Sequence, residues 1–325
     1  MHIKAPLTNP QEVVPLIDAG ATEFYAGLRI GRNVYSGTRP FKAANFNDLG
    51  AFREAVQEAH KRNVHVALCC NTVFDKSRKQ IVSSVEKAMK IGVNKFIVNN
   101  PSVLIDLRRI FSQNSYVLST LGICFNSYTV DFFEDLGISS IVLPRDLSLN
   151  EIKIIKEKKP HMEFVVFIHN IRCEFINGRC NLHLLSSSIP YQSRIVATLF
   201  YLATGSRKDD CKTPYAINIF NKNRLIVAKR HMCLTDYRGL RCGACAIPFL
   251  NSISIYAVKI IGREYPFSKK LQDLKFISAV VNLTQKNTIP SFNAIRHLYK
   301  EIYERECAVP HECHYPLLTP LSYER

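Results

Sequence analysis

A parallel β/α barrel carrying a cysteine-rich insertion and a helical C-terminal segment is the fold class this sequence predicts. Three observations carry it. Short apolar runs alternate with amphipathic helical stretches through the first 170 residues, the alternation breaks after His169 into a cysteine-dense stretch, and the final 60 residues return to helical periodicity. About seven βα units in 170 residues favour closure into a barrel over an open doubly wound sheet.

The elements follow in order. A first strand spans His2 to Ala5, and a helix from Pro10 to Asp18 ends at Gly20. Glu23 to Ala26 is the second strand, and Phe46 to Lys61 is a helix with apolar residues at helical spacing. Val64–Cys69, Lys95–Val98, Val117–Ser119, Ser140–Leu143 and Glu163–Ile168 continue the strands. Helices fall between them at Lys79–Lys90, Ser102–Ser112, Ser127–Leu136 and Leu149–Glu157. Residues 170–250 read as irregular, a further strand runs from Ser254 to Ile261, and Ser268–Leu283 and Phe292–Glu306 are helical. The expected division is a barrel domain over residues 1–264, with the cysteine-rich region 170–250 inside it, and a helical extension over 265–325.

A hydrophobic content of 47% with 22% charged residues excludes a disordered chain. No basic segment followed by an apolar run opens the sequence, and the longest apolar stretch away from the strands is too short to span a membrane, so a soluble cytoplasmic protein is expected. The net charge of +16 favours an anionic partner, either nucleic acid or a small acidic substrate. Eleven cysteines are many for a reducing compartment, where thiols serve as metal ligands or catalytic groups more often than as disulfides.

Functional residues of a β/α barrel gather where strands end. Asn71 and Thr72, Asn99 and Asn100, Ser119 and Thr120, Arg145 and Asp146, and His169 and Asn170 all fall at such points. Asn71, Arg145 and His169 are the candidates for catalysis. Polar loop residues and helix caps account for any one of these singly; their coincidence at one rim is the stronger signal.

The sharpest local feature is IHNIRCEFINGRC, with Cys173 and Cys180 on a loop leaving a strand. Cys211, Cys233, Cys242 and Cys245 complete six cysteines within 73 residues. Iron–sulfur clusters need thiolates converging from several segments, and the Cys242–Cys245 spacing suits zinc equally well. Arg172, Arg179, Lys212 and Arg241 would offset the charge of a thiolate-rich site. The tail offers Cys307, His311, Cys313 and His314, enough for a second metal site together with Cys233 and Cys245.

Over most of residues 1–264 the chain resembles the collagenase-like peptidase family, U32. The opening APLTNPQEVVPLIDAGATEFYAG is similar to that family's first βα unit, and Arg39, Ala43, Asn45 and Phe46 match its Arg-x-x-x-Ala-x-Asn-Phe segment. AHKRNVHVALCCNT, IVLPRDLSLNEI and VVFIHNIRCEFINGRC resemble further family segments, and Lys259, Gly262 and Arg263 match its closing Lys-Ile-Glu-Gly-Arg motif. The resemblance implies a β/α barrel and a four-iron, four-sulfur cluster on Cys173, Cys180, Cys211 and Cys242. The register to Lys259 places Cys242, rather than the alternates Cys233 and Cys245, at the last ligand. It also points to Arg39, Asn45, Lys259 and Arg263 as substrate-binding residues. The sequence departs from the family at Leu121, Ile261 and Arg207, and Cys233 and Cys245 are extra, which leaves the substrate and the third and fourth ligands open.

The function implied is oxygen-independent hydroxylation of RNA bases or of a ubiquinone precursor, by an iron–sulfur enzyme or by its subunit working with a related partner. Arginines such as Arg39 and Arg145, with Lys259, suit an acidic donor or a phosphate. Two other classes compete: a peptidase, as the family name has it, and a non-enzymatic, metal-stabilised module that binds RNA or a partner. The sequence shows no serine, cysteine–histidine or zinc-helix arrangement of a protease.

Overall fold

The structure, a computed structural model, describes residues 1–31, 34–37, 42–71, 78–171, 178, 215–221, 224–232, 241–285, 290–307 and 312–315. Contacts divide the chain into two compact units, one of residues 1–171 with 240–325 and one of residues 172–239.

In chain order the larger unit begins β1 (His2–Pro6), α1 (Val13–Asp18) and β2 (Glu23–Ala26), followed by a short hairpin of β3 (Arg29–Gly31) and β4 (Val34–Tyr35). It continues with α2 (Leu49–His60), β5 (His65–Cys69), α3 (Arg78–Met89), β6 (Lys95–Val98), α4 (Pro101–Ile110) and β7 (Ser115–Leu118). Next come α5 (Ser127–Asp135), β8 (Ser140–Val142), α6 (Leu149–Lys158) and β9 (Glu163–Ile171). The smaller unit contains β10 (Tyr215–Asn221) and β11 (Arg224–Met232). The chain re-enters the larger unit at β12 (Arg241–Cys242), then forms α7 (Ile247–Ser252), β13 (Ala257–Ile260), α8 (Phe267–Gln285) and α9 (Phe292–Tyr303).

Eight parallel strands close a barrel in the order β1, β2, β5, β6, β7, β8, β9, β13, with β13 pairing back onto β1. The predicted β/α barrel is therefore present, with its helical C-terminal segment. Helix starts are set by side-chain caps: Asp48 before α2, Asn100 with Pro101 before α4, Asn126 before α5, and a Ser148–Glu151 capping box before α6. Alternation along the strands sorts two cores. Outward residues such as Val66, Leu68, Val166 and Ile168 pack under the helices, while Ala67, Cys69, Val165 and Phe167 fill the barrel. Cys69 and Cys70 accordingly face opposite sides.

Two differences from the sequence expectation have physical causes. Residues 170–250 are less irregular than expected, because β10 and β11 pair antiparallel; YAINIFN and RLIVAKRHM are separated by only two residues, which is hairpin spacing. Strand β9 also runs past Ile168 to Ile171, because β12 returns antiparallel and gives Ile171 and His169 partners at Arg241 and Cys242.

Candidate functional site at the barrel mouth

The barrel interior is layered by charge. Lys4 on β1 and Lys95 on β6 both donate to the Glu23 carboxylate on β2, at 2.7 and 3.0 Å. Both Lys4 and Glu23 are buried, so this pairing satisfies charges that would otherwise be costly to enclose. An apolar layer of Ala67, Ile97, Val117, Val142 and Val165 joins it.

Lys259, on β13, is a third interior lysine, and it has a different environment. Its Nζ lies 3.9 Å from the centroid of the Tyr25 ring and 5.7 Å from that of Phe167. Tyr25 is held in place by donating its hydroxyl to the Ile260 carbonyl at 2.9 Å. Arg263, three residues beyond β13, places its guanidinium carbon 6.0 Å from the same ring, and among the described residues its buried Nη1 has no hydrogen-bond partner. Glu23 is already taken by Lys4 and Lys95, so among the described residues neither Lys259 nor Arg263 has a carboxylate partner. Burial, with Lys4 and Arg263 as like-charged neighbours against the favourable Cys69, lowers the Lys259 amine to about 8. Cation–π contact with Tyr25 offsets only part of that cost.

Gly27, after β2, makes this arrangement sterically possible. A Cβ there would collide with Asn45 Oδ1 and Arg263 Nη1, so the Tyr-x-Gly sequence lets two predicted substrate-binding side chains cross the backbone. Asn45, Lys259 and Arg263 are thus brought together at one end of the barrel. Arg39 lies outside the described residues.

Across the mouth, Asn71 after β5 donates its amide to Ser119 Oγ after β7 at 3.2 Å. Thr120 Oγ1 donates to the Leu143 carbonyl at 3.5 Å, tying the rim at β7 to that at β8, and Asn100 serves as the cap of α4. Arg145, after β8, lies with Arg241 close enough to His314 for both charges to act on it. Burial and these two cations lower the His314 ring to about 4, so this imidazole is neutral at physiological pH.

His169 takes another place. Strict alternation would aim it into the barrel beside Phe167, but the β9–β13 register shifts between Lys259 and Ile260 and turns it outward. It is fully buried against Phe276 and Tyr303. Its Nε2 lies 2.9 Å from the Tyr303 hydroxyl and 3.3 Å from Asp273 Oδ1. Asp273 also accepts from Tyr303 at 2.7 Å, from Lys269 at 2.7 Å and from Asn170 at 2.6 Å. Asn170 sits at φ +63°, a left-handed conformation that Asn tolerates, and also donates to the Ile261 carbonyl. Burial alone would raise the Asp273 carboxyl; His169 and Lys269 outweigh it and hold it at about 2. The sequence reading passed over Asp273 and Tyr303 because they lie in the C-terminal helices, beyond the span of the family resemblance, where an acid and a tyrosine on helices carry no local signal.

Of the candidate cluster ligands, Cys242 and its alternate Cys245 are described; Cys173, Cys180, Cys211 and Cys233 lie outside the described residues, as does His311. Cys242 accepts an N–H···S bond from Ala244 at 3.4 Å and bridges Cys313 across a short β contact. Cys245, Cys307 and Cys313 are near enough to Cys242 to affect its ionisation, and burial pushes the Cys245 thiol up to about 12 and that of Cys313 to about 11. Among the described residues, no three His, Cys, Asp or Glu side chains converge on a metal position. No helix among them is long and apolar enough to cross a membrane.

The barrel resembles that of CdNal from Clostridium difficile, with a TM-score of 0.51, 8% identity, and coverage of 93% of this chain and 82% of that one; this is a likeness of fold alone. In sequence the chain is 27% identical over 307 residues to the "tRNA hydroxylation protein P" of Helicobacter pylori, covering 90% of this chain and 68% of that protein. It is 28% identical over 171 residues to a Methanocaldococcus jannaschii protein named as an uncharacterized protease, covering 51% of this chain and 40% of that one. The family described as Peptidase family U32 matches residues 8–314, nearly the whole barrel and its C-terminal helices, and the chain belongs to that family.

Proposed function

We propose that this chain is an iron–sulfur protein that supports oxygen-independent hydroxylation of a base in RNA, with a small acidic co-substrate held in the barrel mouth. The observation that carries the reading is the pair of buried cations, Lys259 and Arg263, with no carboxylate partner among the described residues. Buried charge is retained where a counter-charge is supplied, and a carboxylate between these two groups would supply it. Tyr25 and Phe167 offer aromatic faces for the body of such an acid, and Arg263 offers two-pronged geometry for its carboxylate. Asn71 and Ser119, facing the same opening, are suited to hydrogen-bond a base edge, and Arg39 and Asn45 are assigned to the same binding surface.

RNA is favoured over a quinone precursor by the name of the Helicobacter pylori relative and by the net charge of +16. The cluster is assigned to Cys173, Cys180, Cys211 and Cys242. The N–H···S bond at Cys242 fits that role, because it favours a thiolate where burial alone disfavours one. When bound, such a cluster supplies one-electron chemistry or an open iron coordination position.

A peptidase is the second reading, since Cys242 is the register partner of His169, which contacts Asp273. That trio lacks the properties of a nucleophilic site. The histidine is fully enclosed and burial pushes the thiol well above its ordinary range, whereas a cysteine protease requires a thiolate open to substrate.

Anaerobic purification with iron and sulfide analysis and a visible/EPR spectrum tests the cofactor, and nucleoside and quinone profiles of a deletion strain test the substrate. Cys173→Ala and Cys242→Ala are expected to abolish the cluster signal, and Cys233→Ala to leave it. A colourless protein with stoichiometric zinc, or a deletion strain with unchanged nucleosides, would overturn the reading.

A further inference from the structure

Outside the barrel, a groove of about 380 Å³ runs between the β3–β4 hairpin and α3. Arg29, Lys79, Gln80, Ser83 and Lys87 line it over an apolar floor, and among the described residues no carboxylate does. Lys79, Ser83 and Lys87 are spaced four apart and share one face of α3. The two lysines are exposed and make no ion pair among the described residues, whereas the neighbouring acid, Glu86, is engaged by Lys90 at 2.9 Å. Arg29 donates Nε to the Gly31 carbonyl at 3.2 Å, which anchors it to the hairpin. Arg78 pairs with Asp106 of α4 and donates to Ser102 at 3.3 Å, fixing the start of α3. The cationic wall therefore stands on two fixed supports.

The surrounding sequence repeats the bias, since residues 28–47 hold four basic residues, Arg29, Arg32, Arg39 and Lys42, and no acid. The groove's position gives it meaning. The hairpin follows the C-terminal end of β2 and α3 starts after that of β5, so the Arg29 and Lys79 end of the groove lies towards the same rim as the barrel mouth, with Lys87 about 12 Å further along the helix. With hydroxyl, amide and cationic groups and, among the described residues, no aromatic platform, its chemistry suits phosphates rather than bases.

We propose that this groove binds the phosphodiester backbone of the RNA strand whose base enters the barrel mouth. The inference rests on the RNA reading above and adds a site to it: backbone contacts here position the strand, while recognition of the base is left to the mouth. Each phosphate neutralised releases counterions, so the contacts should appear in the salt dependence of binding.

The test is filter binding of bulk transfer RNA to the full chain over a KCl series, for wild type, the Lys79→Glu/Lys87→Glu double variant, the Lys79→Arg/Lys87→Arg variant, and Lys153→Glu on α6 as a remote charge reversal. Circular dichroism melts confirm that each is folded. The glutamate pair is expected to weaken binding about tenfold or more and to lower the salt slope by roughly 2, while the arginine pair and Lys153→Glu stay near wild type. A glutamate pair that matches Lys153→Glu in affinity and slope overturns the groove and leaves the RNA reading standing. A wild-type protein with no salt-dependent RNA binding overturns both.

Discussion

Lys259 is the residue at which the stability of the fold meets the proposed binding of an acidic ligand. Its amine titrates near 8 when folded, against 10.5 for an exposed lysine, so the folded chain gives up this proton more readily than the unfolded one. The resulting cost to stability is full below pH 8 and relaxes between pH 8 and 10.5, where stability rises with pH on this group's account. Lowering the amine from 10.5 to about 8 corresponds to about 3 kcal/mol. Lys259→Met is therefore expected to raise the unfolding free energy of the unliganded protein in urea melts while abolishing affinity for an acidic ligand. Calorimetric titration of wild type with such a ligand should show affinity falling as pH passes 8. This residue was legible in the sequence as part of a motif. Its lack of a carboxylate partner among the described residues was not, because that depends on Lys4 and Lys95 having already claimed Glu23 from strands distant in sequence.

At the level of elements, the Asp273 cluster fastens α8 and α9 to the end of β9. Asp273→Ala would leave His169, Asn170 and Tyr303 buried without their acceptor, at an expected cost of about 3 kcal/mol or more, read from denaturant melts. The carboxyl's folded value of about 2 lies below its ordinary 3.8, so its contribution of about 2 kcal/mol is present above pH 3.8 and lost as pH falls through about 2. Acid melts of wild type and Asp273→Asn should therefore converge at the low end of that window. Strands and helices of the barrel could be read from the sequence within a few residues because period and caps are local: Glu23–Ala26 and Lys95–Val98 match end for end. The outward turn of His169 could not, since the bulge that causes it is a relation between β9 and β13.

Across the whole molecule, the barrel closes where β13, at residues 257–260, pairs with β1, and among the described residues its interior carries more positive than negative charge on a background of +16. Closure was predicted from the count of βα units, while the eighth strand had to be recruited across the cysteine-rich interruption. That interruption has tied ends. The chain leaves the larger unit after Ile171 and returns at Leu240, and Ile171 and Arg241 are paired opposite one another in an antiparallel ladder, a separation of about 5 Å between Cα atoms. Removing residues 172–240 and joining the ladder with a two-residue Asn-Gly turn should leave a barrel that still melts cooperatively by circular dichroism, with the cluster signal gone. Such a junction behaves as a socket. On the proposed iron–sulfur reading, a segment of different length or ligand content could be joined through the same ladder while the strand order of the barrel stays as it is.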